Sequence, residues 1–178
     1  MNIIGTLRTV DETTGAVRVE DTYATDIHDL WAACTTPERL ARWIATVSGD
    51  LSVGSTVDLV FTSTWSGRAR IDVCEAPHHL LLTSEPGTDE ESQTEVWLLA
   101  EGDGTRLVVE ERGLPTDGLH FYGAGWQAHL EDLARALDTD GPVHAEGWSA
   151  EEAAPAWKAR WQELTPAYQG SPVDASGG

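Results

Sequence analysis

Apolar and polar positions change period several times along the chain, and each change marks a new element. Between Ile3 and Ala24, "IIGTLRTV" and "AVRVEDTYA" read as β-strands, and the turn formers of "DETTG" between them predict a hairpin. The period then becomes helical. Thr25 or Asp26 can cap a helix in which Ile27, Leu30, Trp31 and Cys34 recur at i, i+3, i+4 and i+7 as one inward stripe. In "TTPERLARW" that follows, Thr36 is placed to cap a second helix and Pro37 suits its first position. Glu38 and Arg42 pair at i, i+4, while Leu40, Trp43 and Ile44 form the apolar side.

From Val47 to Arg112 the pattern is β-rich: "DLSVG", "STVDLVFTSTW", "GRARIDVCE", "HLLLTSE", "QTEVWLLA" and "TRLVVEER", separated by short turns. Strands joined so closely form an antiparallel meander, because parallel neighbours need crossovers of a dozen or more residues. A long helix comes next. Leu119, Tyr122, Trp126, Leu130, Leu133 and Leu137 keep helical spacing, and Gly123, Ala124 and Gly125 permit close approach of another backbone.

"DTDGPVHAEG" reads as a linker, and a last helix is expected over about 149–165. Ser149 and Glu152 fit a capping box, but Pro155 would then lie too far inside, so Pro155 is the other candidate start. Trp157, Trp161, Leu164 and Tyr168 make a strip at i, i+4, i+7 and i+11, to be covered by the chain's own body or in a homodimer. "QGSPVDASGG" reads as a disordered tail, so the division expected is a domain over 1–140 and an extension over 141–178.

Composition narrows the partners. At 178 residues the chain can bury about 70% of its unfolded surface around one core. Eleven Lys and Arg against 30 Asp and Glu give a formal charge of −19, spread along the chain, which repels phosphate backbones and anionic headgroups. Neither nucleic acid nor a membrane surface is expected as a partner. Cys34 and Cys74 have no metal-like spacing and form no disulfide framework, and no apolar run reaches membrane-span length, so a cytoplasmic protein is expected.

The phrases "VEDTYATDIHDLWAACTTPERLARW", "LSVGSTVDLVF", "VCEAPHHLLLTS", "GDGTRLVVEERGL" and "GAGWQAHLEDLARAL" resemble, in this order, the START-like (SRPBCC) superfamily. The branch they are most similar to is named after the activator of the ATPase of the 90-kDa heat-shock protein. The likeness runs from about Val17 to Leu137. It implies an α+β helix-grip (START-like, Bet v-like) fold, a curved antiparallel sheet around the long C-terminal helix with a cavity between them.

Strand alternation taken from those phrases sends Val57, Leu59 and Phe61, then Leu80, Leu82 and Ser84, Val96 and Leu98, and Leu107, Val109 and Glu111 inward. Trp43 joins them from the short helix, and Tyr122, Trp126 and His129 or Leu130 from the long one. The expected ligand-binding set is therefore Trp43, Leu59, Phe61, Leu82, Val96, Glu111, Tyr122, Trp126 and His129. Glu111 either points a carboxylate into this apolar space, with a raised pKa, or sits at a frayed strand end and reaches water.

Other chemistry is poorly provided for. His78 and His79 fall on opposite strand faces, and His120 and His129 lack helical ligand spacing, so no metal and no cofactor are expected. "GDGT" and "GAG" are not phosphate loops, and Ser48, Ser63 and Ser66 stand in no nucleophile-elbow context. The first expectation is binding of a small hydrophobic or aromatic molecule. A polyketide cyclase/aromatase-like enzyme and a chaperone ATPase activator-like interaction module are the alternatives. A chaperone interaction is the less expected, because the eukaryotic activators carry a separate N-terminal chaperone-binding domain, whereas here only hairpin residues precede the matched region.

Overall fold

The computed structural model describes residues 2–175. Strands β1 (Gly5–Thr9) and β2 (Thr14–Tyr23) form the hairpin, closed by Asp11, whose carboxylate accepts the Thr13 and Thr14 backbone N–H groups. Helix α1 (Ile27–Thr35) starts where the Asp26 carboxylate accepts from the His28 and Asp29 N–H groups. Helix α2 (Pro37–Leu40) is a single turn; Trp43 and Ile44, expected within it, lie in the turn that follows, both buried.

The meander is β3 (Ala45–Ser48), β4 (Thr56–Phe61), β5 (Ser66–Glu75), β6 (His79–Ser84), β7 (Ser92–Glu101) and β8 (Gly104–Pro115). "DLSVG" was expected as a strand and is a turn region instead. The strand lies just before it, where Ala45–Ser48 pair with Asp58–Phe61. The order across the curved sheet is β3-β4-β5-β6-β7-β8-β2-β1-β9, antiparallel except at the last pair. The chain is thus α+β with a helix-grip arrangement, the sheet wrapping helix α3 (Leu119–Asp138). Leu130 and Leu133 of α3 are wholly buried, and the Tyr23 hydroxyl donates to the Leu130 carbonyl at 3.0 Å.

Helix α4 (Pro155–Gln169) begins at the proline, the later of the two expected starts. Ser149 does accept from the Glu151 and Glu152 N–H groups, but only in a turn. Its aromatic strip packs on the chain's own α3. A Cβ on Gly123 would stand 2.6 Å from the Tyr168 ring and one on Gly125 3.5 Å from the Trp157 ring, so these glycines admit aromatic side chains rather than another backbone. The Tyr168 hydroxyl donates to Gln127 Oε1 at 2.7 Å, and Arg160 grips both carboxylate oxygens of Glu131 at 2.7 and 2.9 Å.

The segment between α3 and α4 is not a free linker. Val143 N–H donates to the Arg42 carbonyl, Ala154 N–H to the Thr62 carbonyl, and the Trp148 indole N–H to the Val60 carbonyl. His144 lies buried against Asp132, Nε2 to Oδ2 at 2.7 Å, and Asp132 also takes Arg135 at 2.7 Å. Beyond α4, Val173–Ala175, expected within a disordered tail, form β9 in parallel register with Leu7–Thr9 and cover that sheet edge.

Candidate functional site

Between the concave sheet face and α3 lies a cavity of about 970 Å³. All nine residues singled out from the sequence stand on its wall: Trp43, Leu59, Phe61, Leu82, Val96, Glu111, Tyr122, Trp126 and His129. Of the further inward positions expected, Val57, Leu80, Ser84, Leu107 and Val109 also line it. Leu98 and Leu130 are buried away from the wall. Trp43 stands in the turn that follows α2. Its indole N–H donates to the Ala33 carbonyl of α1 at 3.0 Å, which fixes the ring as a slab of cavity wall.

Strand register grades the polarity of the floor. Leu80, Val96 and Val109 are mutual partners across β6, β7 and β8, with Cys74 opposite Leu80, and make an apolar row. One step along, Leu82 faces Thr94 and Thr94 faces Glu111; a further step pairs Ser84 with Ser92. The floor therefore turns from hydrocarbon to hydroxyl and carboxyl in one direction. That direction leads to the opening, because the exposed lining residues, Thr13, Asp89, Glu90, Gly113, Pro115, Phe121 and Tyr122, gather between the β1–β2 turn, the β6–β7 loop, the end of β8 and the start of α3.

Glu111 is not at a frayed end. Strand β8 runs on to Pro115, and Glu111 is paired with Val17 on one side and Thr94 on the other. Its side chain enters the cavity, where the Trp126 indole N–H donates to Oε2 at 2.6 Å. Burial pushes this carboxyl up to about 7, against the opposing pull of hydrogen bonds from Trp126 and Ser92. Burial, then the charges of Glu111 and Glu90, also raises the Tyr122 phenol, which places the three groups in one electrostatic neighbourhood at the opening.

His129 occupies the opposite kind of environment. It is 4% exposed, stacks on Trp157 at a centroid distance of 5.1 Å and meets the edges of Trp126 and Phe61 at 5.6 and 5.8 Å. Burial, followed by the charge of His144, lowers its pKa to about 3, so the ring is neutral. Thr62 Oγ1 lies 3.4 Å from Nδ1.

From the sequence the last helix could be a lid over the cavity mouth, a dimer contact or a structural part, and none of its residues was among the nine singled out; in the structure α4 contributes to the wall. Trp157 and Trp161 are part of the wall, stacked on each other at 5.9 Å, and the Trp161 indole N–H donates to the Phe121 carbonyl at 3.0 Å. Their helical strip was visible, but nothing local told which surface it would cover. Trp31, Cys34, Trp65 and Cys74 also line the space. Among the described residues no helix is long and apolar enough to cross a membrane.

A profile of the family described as Activator of Hsp90 ATPase homolog 1-like protein matches residues 24–138. The chain belongs to that family. Its solved structural relatives are SRPBCC-fold proteins, as the phrases from Val17 to Leu137 implied. The crystal structure of CalU16 from Micromonospora echinospora is 25% identical and aligns over 93% of both chains with a TM-score of 0.68. That coverage exceeds what residues 1–138 could give, so the likeness takes in part of the segment beyond α3 as well. DynU16, a protein of the dynemicin biosynthetic locus, is 26% identical over 71% of this chain and 48% of its own, with a TM-score of 0.65. A protein from Bordetella parapertussis shares the fold at 24% identity and a TM-score of 0.65, over 89% and 87%. No curated protein matches the chain.

Proposed function

We propose that this family member binds a small hydrophobic or aromatic molecule in the cavity between the sheet and α3. The observation that carries this reading is the space itself. About 970 Å³, walled largely by apolar and aromatic side chains and holding a few convergent polar groups, is at the upper end of the volumes typical of small-molecule sites. Each 100 Å² of apolar ligand surface taken from water contributes about 2.5 kcal/mol before the cost of association. Native mass spectrometry of protein purified from its source tests it. The expected result is a population heavier than the chain that loses the excess mass on denaturation. Bare chain alone, with no response of the tryptophan fluorescence to apolar probes, would refute it.

A second reading, an enzyme of the cyclase or aromatase kind, draws on Glu111. A carboxyl near pH 7 beside Tyr122 is suited to taking and returning a proton, and DynU16 is encoded in a biosynthetic locus. Recovery of a chemically altered compound after incubation with the protein, but not with Glu111→Gln, separates catalysis from carriage. Activation of a chaperone ATPase, the activity in the family's description, forms no part of this reading, whose support is an internal cavity rather than a docking face.

A further inference from the structure

We propose that the molecule held in the cavity carries a protonated amine, with Glu111 as its counter-ion and an apolar body lying toward Leu80, Val96 and Val109. This rests on the reading that the cavity binds a small molecule, and it names the class of molecule.

The charges on the wall all have one sign. Among the described residues that line the cavity are three carboxylates, Asp89, Glu90 and Glu111, and no lysine or arginine. His129 supplies no positive charge at neutral pH, since its burial keeps the ring unprotonated. Five arginines are held by carboxylates elsewhere: Arg8 and Arg112 on Glu110, Arg39 on Asp29, Arg135 on Asp132 and Arg160 on Glu131, none of these carboxylates being part of the wall. An anionic guest would enter against like charge and find no counter-ion. A cationic guest meets the reverse situation.

Glu111 is built to receive it. The carboxylate has room for about four hydrogen bonds, and its protein partners are the Trp126 indole and the Ser92 hydroxyl. The side chain lines the cavity, which leaves acceptor capacity for a guest. A buried carboxylate with incomplete partners is costly, and an ammonium group at hydrogen-bond distance supplies both the missing donors and the missing charge. Trp126 and Tyr122 line the same part of the cavity, Trp126 meeting the carboxylate with its N–H edge. At the opening, Asp89 and Glu90 raise the local concentration of cations over that of anions. Register supplies the orientation. The carboxylate is one row nearer the opening than the apolar row, so the ammonium end sits outermost and the hydrocarbon end innermost.

Three probes with one aromatic body test this: naphthylethylamine, naphthylethanol and naphthylacetate, titrated calorimetrically into the full chain at pH 7 in two buffers of different ionisation heat. The amine is expected to bind about tenfold or more tighter than the alcohol, and the acetate more weakly than either. Because Glu111 titrates near pH 7, the amine should release about half a proton per site, read from the buffer dependence of the heat, and the alcohol none. In Glu111→Gln, checked for native packing by near-ultraviolet circular dichroism, amine and alcohol should bind alike and the proton release should vanish. An alcohol or acetate that binds wild-type protein as tightly as the amine overturns the amine assignment while leaving the cavity reading in place. If none of the three binds, the cavity reading itself falls, and the amine assignment with it.

Discussion

Replacing Glu111 by Gln should make the protein more stable, and only above a definite pH. In the folded chain this carboxyl titrates near 7, against an ordinary 4.5 when solvated. Between those values the folded state holds a proton that the unfolded state has released. Stability therefore falls as pH rises from about 4.5, and the loss is complete above about 7. At 1.36 kcal/mol per pH unit the gap corresponds to about 3 kcal/mol. Glutamine keeps an oxygen that can accept from the Trp126 indole N–H and removes the ionisation. Wild type and variant should thus be alike near pH 4.5, and the variant should be ahead by about 3 kcal/mol at pH 8. For a chain of this size that is about 6–12 °C in melting temperature. Urea unfolding followed by tryptophan fluorescence at intervals from pH 4.5 to 9 measures the difference. Curves that stay parallel over the whole range would show that the carboxyl is solvated in the folded protein, and the inward placement of Glu111 would be wrong.

Three other outcomes follow from the packing. His129 has its pKa lowered to about 3, so acid favours the unfolded chain; below pH 6.5 stability should drop by up to 1.36 kcal/mol per pH unit from this group, and His129→Gln should flatten that slope in the same unfolding assay. Gly123→Ala puts a methyl group 2.6 Å from the Tyr168 ring and should cost about 1–3 kcal/mol, with faster proteolysis of α4 as the local sign. Burial pushes the Cys34 thiol up to about 12, so its alkylation by iodoacetamide at pH 8, followed by peptide mass spectrometry, should be far slower than that of a free cysteine; equal rates would contradict the burial.

The parts of this molecule that are written in local periods could be read before the structure was known. Alternation along β8, its inward phase taken from the family resemblance, set Glu111 on one face with Leu107 and Val109, with a frayed end as the alternative, and the helical spacing of Tyr122, Trp126 and His129 brought them to the same space. Misreadings occurred where contacts between distant residues decide. "DTDGPVHAEG" has a linker's composition, yet His144 finds Asp132 in α3 and Val143 finds Arg42 near α2, pairings that no local window contains. Val173–Ala175 look like a free tail but find an open edge on β1. "DLSVG" has apolar alternation without a strand partner, whereas Ala45–Ser48 gain one in β4. The place of Trp157 and Trp161 in the wall required knowing that Gly123 and Gly125 leave a shallow seat on α3.

The seat of Tyr168 between Gly5 of β1 and Gly123 of α3 has a consequence for biosynthesis. Chains emerge from the ribosome amino end first, so sheet and central helix are available to fold while the last stretch is still in the exit tunnel. During that interval the chamber is an open trough with its apolar floor exposed. It acquires its final side only when Trp157 to Tyr168 emerge and dock, so a nascent polypeptide stalled before them would be a sticky, unfinished vessel.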